Sequence, residues 1–201
     1  MIGTSQGRGG IHRGLRSNGR RAGWEVWSGS ARRVLALGAV AVAMAGCAVT
    51  GGYRDTDVPI TATTRFTPAG FEGAWHVIAR FPNAVLPACP DQVWRFATTP
   101  APARFKVGCG ASGAPALVAD LAIDPRGVMR VKTADLDTSA RAFWVIWMDE
   151  DLRTAVIGTR GGEMGWVLNR TADIPADRLN AAKALLEFNG YDNSGLEVLK
   201  Q

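Results

Sequence analysis

From Gly73 onward the chain is written in short segments in which apolar and polar residues alternate, each broken off by Gly, Pro or Asp. Eight such segments cover 74–81, 92–98, 104–109, 115–123, 127–135, 142–149, 152–159 and 164–170. A period of two marks a half-buried strand, because successive side chains leave opposite faces. The stretches between segments are too short for crossover helices, so neighbouring strands must pair antiparallel. Eight strands in one sheet can close into an up-and-down barrel, which removes both edges and leaves room for one ligand. A sandwich uses similar strands, and periodicity alone does not separate the two. One helix follows. Asp173-Ile174-Pro175-Ala176 opens it, with Pro175 in the first turn, where its missing N–H is harmless. Leu179, Ala182, Leu185 and Leu186 form its apolar stripe, Asn189-Gly190 supplies a left-handed stop, and 196–200 reads as a last strand. The expected fold class is all-β: an eight-stranded antiparallel barrel with one C-terminal α-helix and a short final strand.

The formal net charge of +5 suggests a polyanion partner until the charges are located. Residues 1–46 carry seven Arg against Glu25; the remaining 16 basic and 17 acidic side chains leave residues 47–201 at −1. A nucleic-acid partner loses its electrostatic support. Beyond residue 46 the only histidine is His76, within an alternating segment, so neither a poly-histidine metal site nor a Ser-His-Asp triad is expected. No cofactor is expected either.

Residues 32–47 read as an address. Arg32-Arg33 precedes thirteen apolar or small residues, Val34 to Gly46, and then Cys47. As a helix, this stretch covers about 20 Å, short of the roughly 30 Å bilayer core. Met44-Ala45-Gly46-Cys47 resembles the lipobox of bacterial lipoproteins, with Met44 where Leu is usual. The resemblance implies cleavage before Cys47, acylation of its thiol by palmitate-like chains, and, with Ala48 following, sorting to an outer membrane. Residues 1–31 carry no apolar periodicity, which suggests that translation begins near Val26. A twin-arginine export signal is a weaker reading of Ser30 to Leu35. The expected division is 1–46 extension and signal peptide, 47–65 acylated cysteine and flexible tether, and 66–201 folded domain.

Gly73-Ala74-Trp75 resembles the G-x-W strand that opens lipocalins. Phe143 to Gly158 resembles their second block, a hairpin between the sixth and seventh strands, with Leu152 where an aromatic is usual. Trp166 to Thr171 is similar to the third, ending in its arginine, Arg170. With the helix, Gly190-Tyr191-Asp192 and the last strand, the pattern of Phe66 to Gln201 resembles bacterial outer-membrane lipocalins and apolipoprotein D. Gly73, Trp75 and Arg170 are the expected barrel-closing residues. Strand direction agrees: Trp75 begins strand one and Arg170 ends strand eight, so both reach one end, where a guanidinium over an indole forms a cation–π plug. The Asp149–Asp151 turn belongs to the same end.

Parity then assigns an inner face: Val77 and Ala79 with Trp75, Leu168 and Trp166 with Arg170, Trp94 and Phe96 on strand two, and Phe143, Val145 and Trp147 on strand six. These are the candidate ligand-binding residues, although the same aromatics can simply fill a core. Arg80, near the upper end of strand one, suits a ligand headgroup or, by its opposite parity, an outward solvated position. With Cys47 acylated, Cys89 and Cys109 are left as an even pair for a disulfide.

The resulting expectation is a membrane-anchored, periplasm-facing lipocalin. It would hold a fatty acid, lysophospholipid or similar small hydrophobic ligand, in envelope lipid storage, transport or repair. Two alternatives are a cysteine-dependent isomerase, using Cys89 or Cys109 beside Lys106, and a structural envelope barrel with a filled interior.

Overall fold

The computed structural model describes residues 52–110, 114–133 and 142–200. The segment read as a signal peptide and Cys47 lie outside the described residues. The elements are α1 (Pro68–Phe71), β1 (Gly73–Arg80), β2 (Gln92–Ala97), β3 (Ala103–Cys109), β4 (Pro115–Asp124), β5 (Val128–Lys132), β6 (Phe143–Met148), β7 (Thr154–Thr159), β8 (Gly165–Asn169), α2 (Ala176–Phe188) and β9 (Glu197–Val198). Each strand from β1 to β8 pairs antiparallel with the next. β1 pairs with β8 as well as β2, so the sheet closes into an eight-stranded barrel and the sandwich falls away. β9 bonds to the far end of β1, opposite Ala79 and Arg80, as a ninth strand outside the ring.

Apolar side chains collect in two clusters on the two faces of this wall. The inner cluster contains Trp75, Val77, Trp94, Phe96, Phe105, Phe143, Val145, Met148, Trp166 and Leu168. The outer cluster packs Ile78, Ala79, Phe81, Ile146, Val156 and Val167 against Ala182 and Leu186 of α2 and against Tyr191. Pro175 stands at the N-cap of α2, one residue before the expected first turn, and Gly190 takes φ 86° just beyond the helix, as a left-handed stop requires.

Two β-bulges correct the parity reading. On β1 the pairing with β8 slips between Val77 and Ala79, so Val77 faces Leu168 but Ala79 faces Val167. Ala79, expected inside, therefore joins the outer cluster. On β6 the pairing with β7 slips between Val145 and Trp147. Trp147, also expected inside, packs half-buried on the outer cluster, and Met148 takes the inward place. In each case a bulge sets two consecutive residues on the same face: Ile78 with Ala79, and Ile146 with Trp147. The physical reason is the helix, which covers this side of the barrel with apolar side chains and so stabilises the extra outward residue.

The tether reading also changes. Over 53–63 the chain is bonded to the domain: Tyr53 N–H donates to Gly162 O at 2.7 Å, Asp55 N–H to Gly190 O at 2.8 Å and Thr63 N–H to Val145 O at 2.9 Å. Arg54 is buried and donates to three carbonyl oxygens, of Asn189 at 2.6 Å, of Arg160 at 2.7 Å, and of Val58. Tyr53 stacks on Phe81 at 4.8 Å between ring centroids. Side chains with this much backbone to satisfy hold a strap rather than a spacer.

Candidate functional site: the barrel interior and its two ends

The closed end is built around Trp75. Its indole Nε1–H donates to Phe71 O at 2.9 Å, and the rings of Phe71 and Trp75 stack at 4.9 Å. Phe71 arrives on α1, a single turn begun by Thr67, whose Oγ1 accepts from Gly70 N–H, with Pro68 at the first helical position. Arg170 Cζ lies 3.8 Å from the centroid of the Trp75 ring. The same guanidinium donates to Ala74 O at 3.0 Å, Gly70 O at 2.8 Å and Leu152 O at 3.4 Å, tying together β1, α1 and the β6–β7 turn. Burial lowers its pKa from the usual guanidinium value, yet leaves it charged at neutral pH. Gly73 has φ 98°, which favours glycine, and a Cβ there would crowd Arg170 Nη1 at 3.3 Å.

Above this plug the interior is aromatic. Trp94 meets Trp166 at 4.9 Å, Phe105 at 5.1 Å and Phe143 at 6.1 Å, and Phe143 meets Trp166 at 5.1 Å. Of the residues expected to line a ligand site, Val77, Trp94, Phe96, Phe143, Val145, Trp166 and Leu168 are in this inner cluster. Of four concavities of about 160 to 490 Å3, one is lined in part by Phe96, and none is lined by Trp75, Val77, Trp94, Phe143, Val145, Trp166 or Leu168.

The other end is covered by the loop 81–91 between β1 and β2. Leu86 is buried against the inner cluster, and Val85 and Leu199 pack on it half-buried. Asn83 Oδ1 accepts from the N–H groups of Val85 and Leu86 at 3.1 Å each, and the Gln92 amide donates to Pro87 O. Cys89 and Cys109 form a disulfide that fastens the loop to the end of β3, as the cysteine count led us to expect. Asp91 lies beside them, but both sulfurs are engaged with one another and offer no thiolate to a metal ion or a substrate. His76 lies half-buried on β1.

Sequence reasoning missed Phe71, Met148 and the role of Tyr191, and left the direction of Arg80 open. Phe71 was hidden because one helical turn has no period, although Thr67-Pro68 is a readable start signal. Met148 and the inward direction of Arg80 depend on the bulges. Tyr191 was read only as part of a motif, yet it is the polar centre of the outer wall. Its hydroxyl accepts from Thr159 N–H at 2.8 Å and faces Met164 O at 2.9 Å and Thr159 O at 3.1 Å. Burial pushes the phenol up to about 12.

Residues 126–201 match the family model of a lipocalin-like domain. No curated protein matches the sequence. Among solved structures, the fold is similar to insecticyanin from the tobacco hornworm Manduca sexta, with a TM-score of 0.56 and 17% identity over 75% of this chain and 87% of that one. Lobster apocrustacyanin A1 gives 0.52 and 13% over 75% and 89%. Lipocalin 12 from rat epididymis gives 0.52 and 17% over 74% and 93%. The architecture is a lipocalin barrel. The sequence match to a lipocalin-like family model is confined to residues 126–201, and the solved structures share the barrel fold.

Proposed function

We propose that this protein is a lipid-anchored lipocalin that binds one fatty acid, lysophospholipid or similar amphiphile in the mouth of its barrel, and that it serves envelope lipid storage, transport or repair. The observation that carries the reading is the barrel itself: an apolar interior plugged at one end by Phe71, Trp75 and Arg170 and covered at the other by a loop that contributes only Leu86 and Val85 to the interior. Admitting an acyl chain requires withdrawal of those two side chains and separation of the packed rings of Trp94, Phe143 and Trp166 beneath them. Burying about ten methylenes gains ~8 kcal/mol, of which ordering of the ligand and displacement of the loop take part. With polar contacts to the ligand's head offsetting those losses, the net Kd falls in the micromolar range.

The lipobox-like Met44 to Cys47 supports the anchored half of the reading. Acylated Cys47 would hold the domain at the periplasmic face of an outer membrane, with 1–46 removed and the strapped residues from Tyr53 onward belonging to the domain. Cys47→Ser is expected to give an uncleaved or soluble product. Unchanged membrane fractionation with full processing would contradict it.

A second reading, a structural barrel with a filled interior, is favoured by the continuous contact of Trp94, Phe105, Phe143 and Trp166. Displacement of a hydrophobic dye by laurate separates the two. Saturable displacement at roughly 1–10 μM supports the binding reading, and none at several tens of micromolar supports the filled barrel.

A further inference from the structure

Among the described residues, three buried polar side-chain atoms have no hydrogen-bond partner: Arg80 Nε, Trp166 Nε1 and Asn193 Oδ1. The first two belong to residues that face one another directly across β1 and β8. Cross-strand partners in an antiparallel pair project from the same face of the sheet. Trp166 is in the inner cluster and fully buried, so Arg80 is turned toward the barrel interior with it. The bulge at Ile78–Ala79 causes this. Uninterrupted alternation from Trp75 and Val77 would send Arg80 outside; the extra residue re-aims it.

Both orphan groups are donors: Trp166 Nε1 has no acceptor, and Arg80 Nε has an ion pair with Glu197 but no hydrogen bond. The other two interior indoles are satisfied, Trp75 by Phe71 O at 2.9 Å and Trp94 by Gln92 Oε1 at 3.3 Å. Glu197 Oε2 is 3.5 Å from Arg80 Nε without a bonded geometry, on a side chain half-exposed at the rim. A buried N–H left unmade costs free energy, more so beside a cation, so the pair is completed best by an anionic acceptor. Trp166 is the second residue of β8 and Arg80 the last of β1, which sets both at the mouth, where a ligand's head would rest.

We propose that Arg80 and Trp166 form an oxyanion-binding pair that holds the carboxylate or phosphate head of the amphiphile through Arg80 Nε–H and Trp166 Nε1–H. The inference rests on the binding reading above and adds the charge of the ligand to it. A neutral amphiphile of equal length fills the same apolar space but leaves both donors poorly matched. Glu197 competes with the ligand for Arg80.

The test is titration of the full domain with laurate, dodecyl phosphate and dodecanol, read by the indole Nε1–H resonance of Trp166 and by dye displacement. Laurate or dodecyl phosphate is expected to bind at least about ten-fold more tightly than dodecanol, a ratio equal to ~1.4 kcal/mol, and to move the Trp166 N–H resonance downfield. The better of the two acids distinguishes a carboxylate source from a phosphate source. Arg80→Gln and Trp166→Phe should each abolish most of that preference while dodecanol binding holds, and Glu197→Gln should strengthen the acids. Trp166→Phe keeps a ring in the core, so it remains informative if Arg80→Gln does not fold. Equal binding of acid and alcohol, or a preference that survives both variants, overturns the pair and leaves the binding reading standing. Binding of none of the three overturns both.

Discussion

The residues that hold this barrel together do so by satisfying backbone carbonyls, and Arg170 is the clearest case. It combines a cation–π contact at 3.8 Å with donation to three carbonyl oxygens on separate elements. Arg170→Met keeps the stem over Trp75 but removes both contributions, and should lower stability by about 2–3 kcal/mol in urea denaturation. A change below 0.5 kcal/mol on that scale would show the guanidinium to be a surface charge. Tyr191 gives a pH signature. Burial raises its pKa from 10.0 to about 12, because a buried phenolate is poorly solvated and cannot donate. The neutral phenol is therefore favoured in the folded state. Its contribution, on the order of 2–3 kcal/mol, is fully present below pH 10 and is lost as the pH rises toward 12. Alkaline titration at 295 nm should show a delayed tyrosine that disappears in Tyr191→Phe, whose stability should fall less steeply over that window.

At the scale of elements, strands and helix were legible because period-two and helical spacings survive in the sequence. Trp75, Val77, Trp94, Phe96, Trp166 and Leu168 are on the inner face, as alternation together with the resemblance at Trp75 and Arg170 led us to expect. Ala79 and Trp147 are not, because β1 and β6 are apolar on both faces where α2 covers them, and alternation carries no information in a strand buried from both sides. A bulge leaves no residue-type signature in such a stretch. The strap at 53–63 was hidden for the opposite reason: its polar residues look like solvated linker until the carbonyls that Arg54 serves are known. The lid loop is the element with most bearing on function. Its disulfide closes a segment of 20 residues, worth about 3 kcal/mol on a chain-entropy argument. Reduction should therefore lower the urea midpoint and raise hydrogen exchange over 82–91. Exchange in that loop unchanged by reduction would show that Asn83 and the buried Leu86 fix it without the bond. Leu86→Ala should cost about 2 kcal/mol of stability and make ligand binding several-fold tighter, since less of the mouth must be vacated.

For the whole molecule, the proposed arrangement joins the charge distribution, the apolar segment before Cys47 and the barrel: a near-neutral domain that binds an amphiphile and that an acylated Cys47 would hold near lipid. The barrel is closed at one end by the Arg170 guanidinium bonded to backbone on three elements and covered at the other by a loop that packs Leu86 and Val85 on the interior and is held by Asn83, Gln92 and the Cys89–Cys109 disulfide. The central claim is that the mouth takes one amphiphile. Native mass spectrometry of the mature domain with increasing laurate tests it most directly. The account predicts a single added mass that saturates at one ligand per chain, together with quenching or shift of tryptophan emission that Trp166→Phe diminishes. A bare chain throughout the titration, or several ligands added without saturation and without a change in emission, would contradict it.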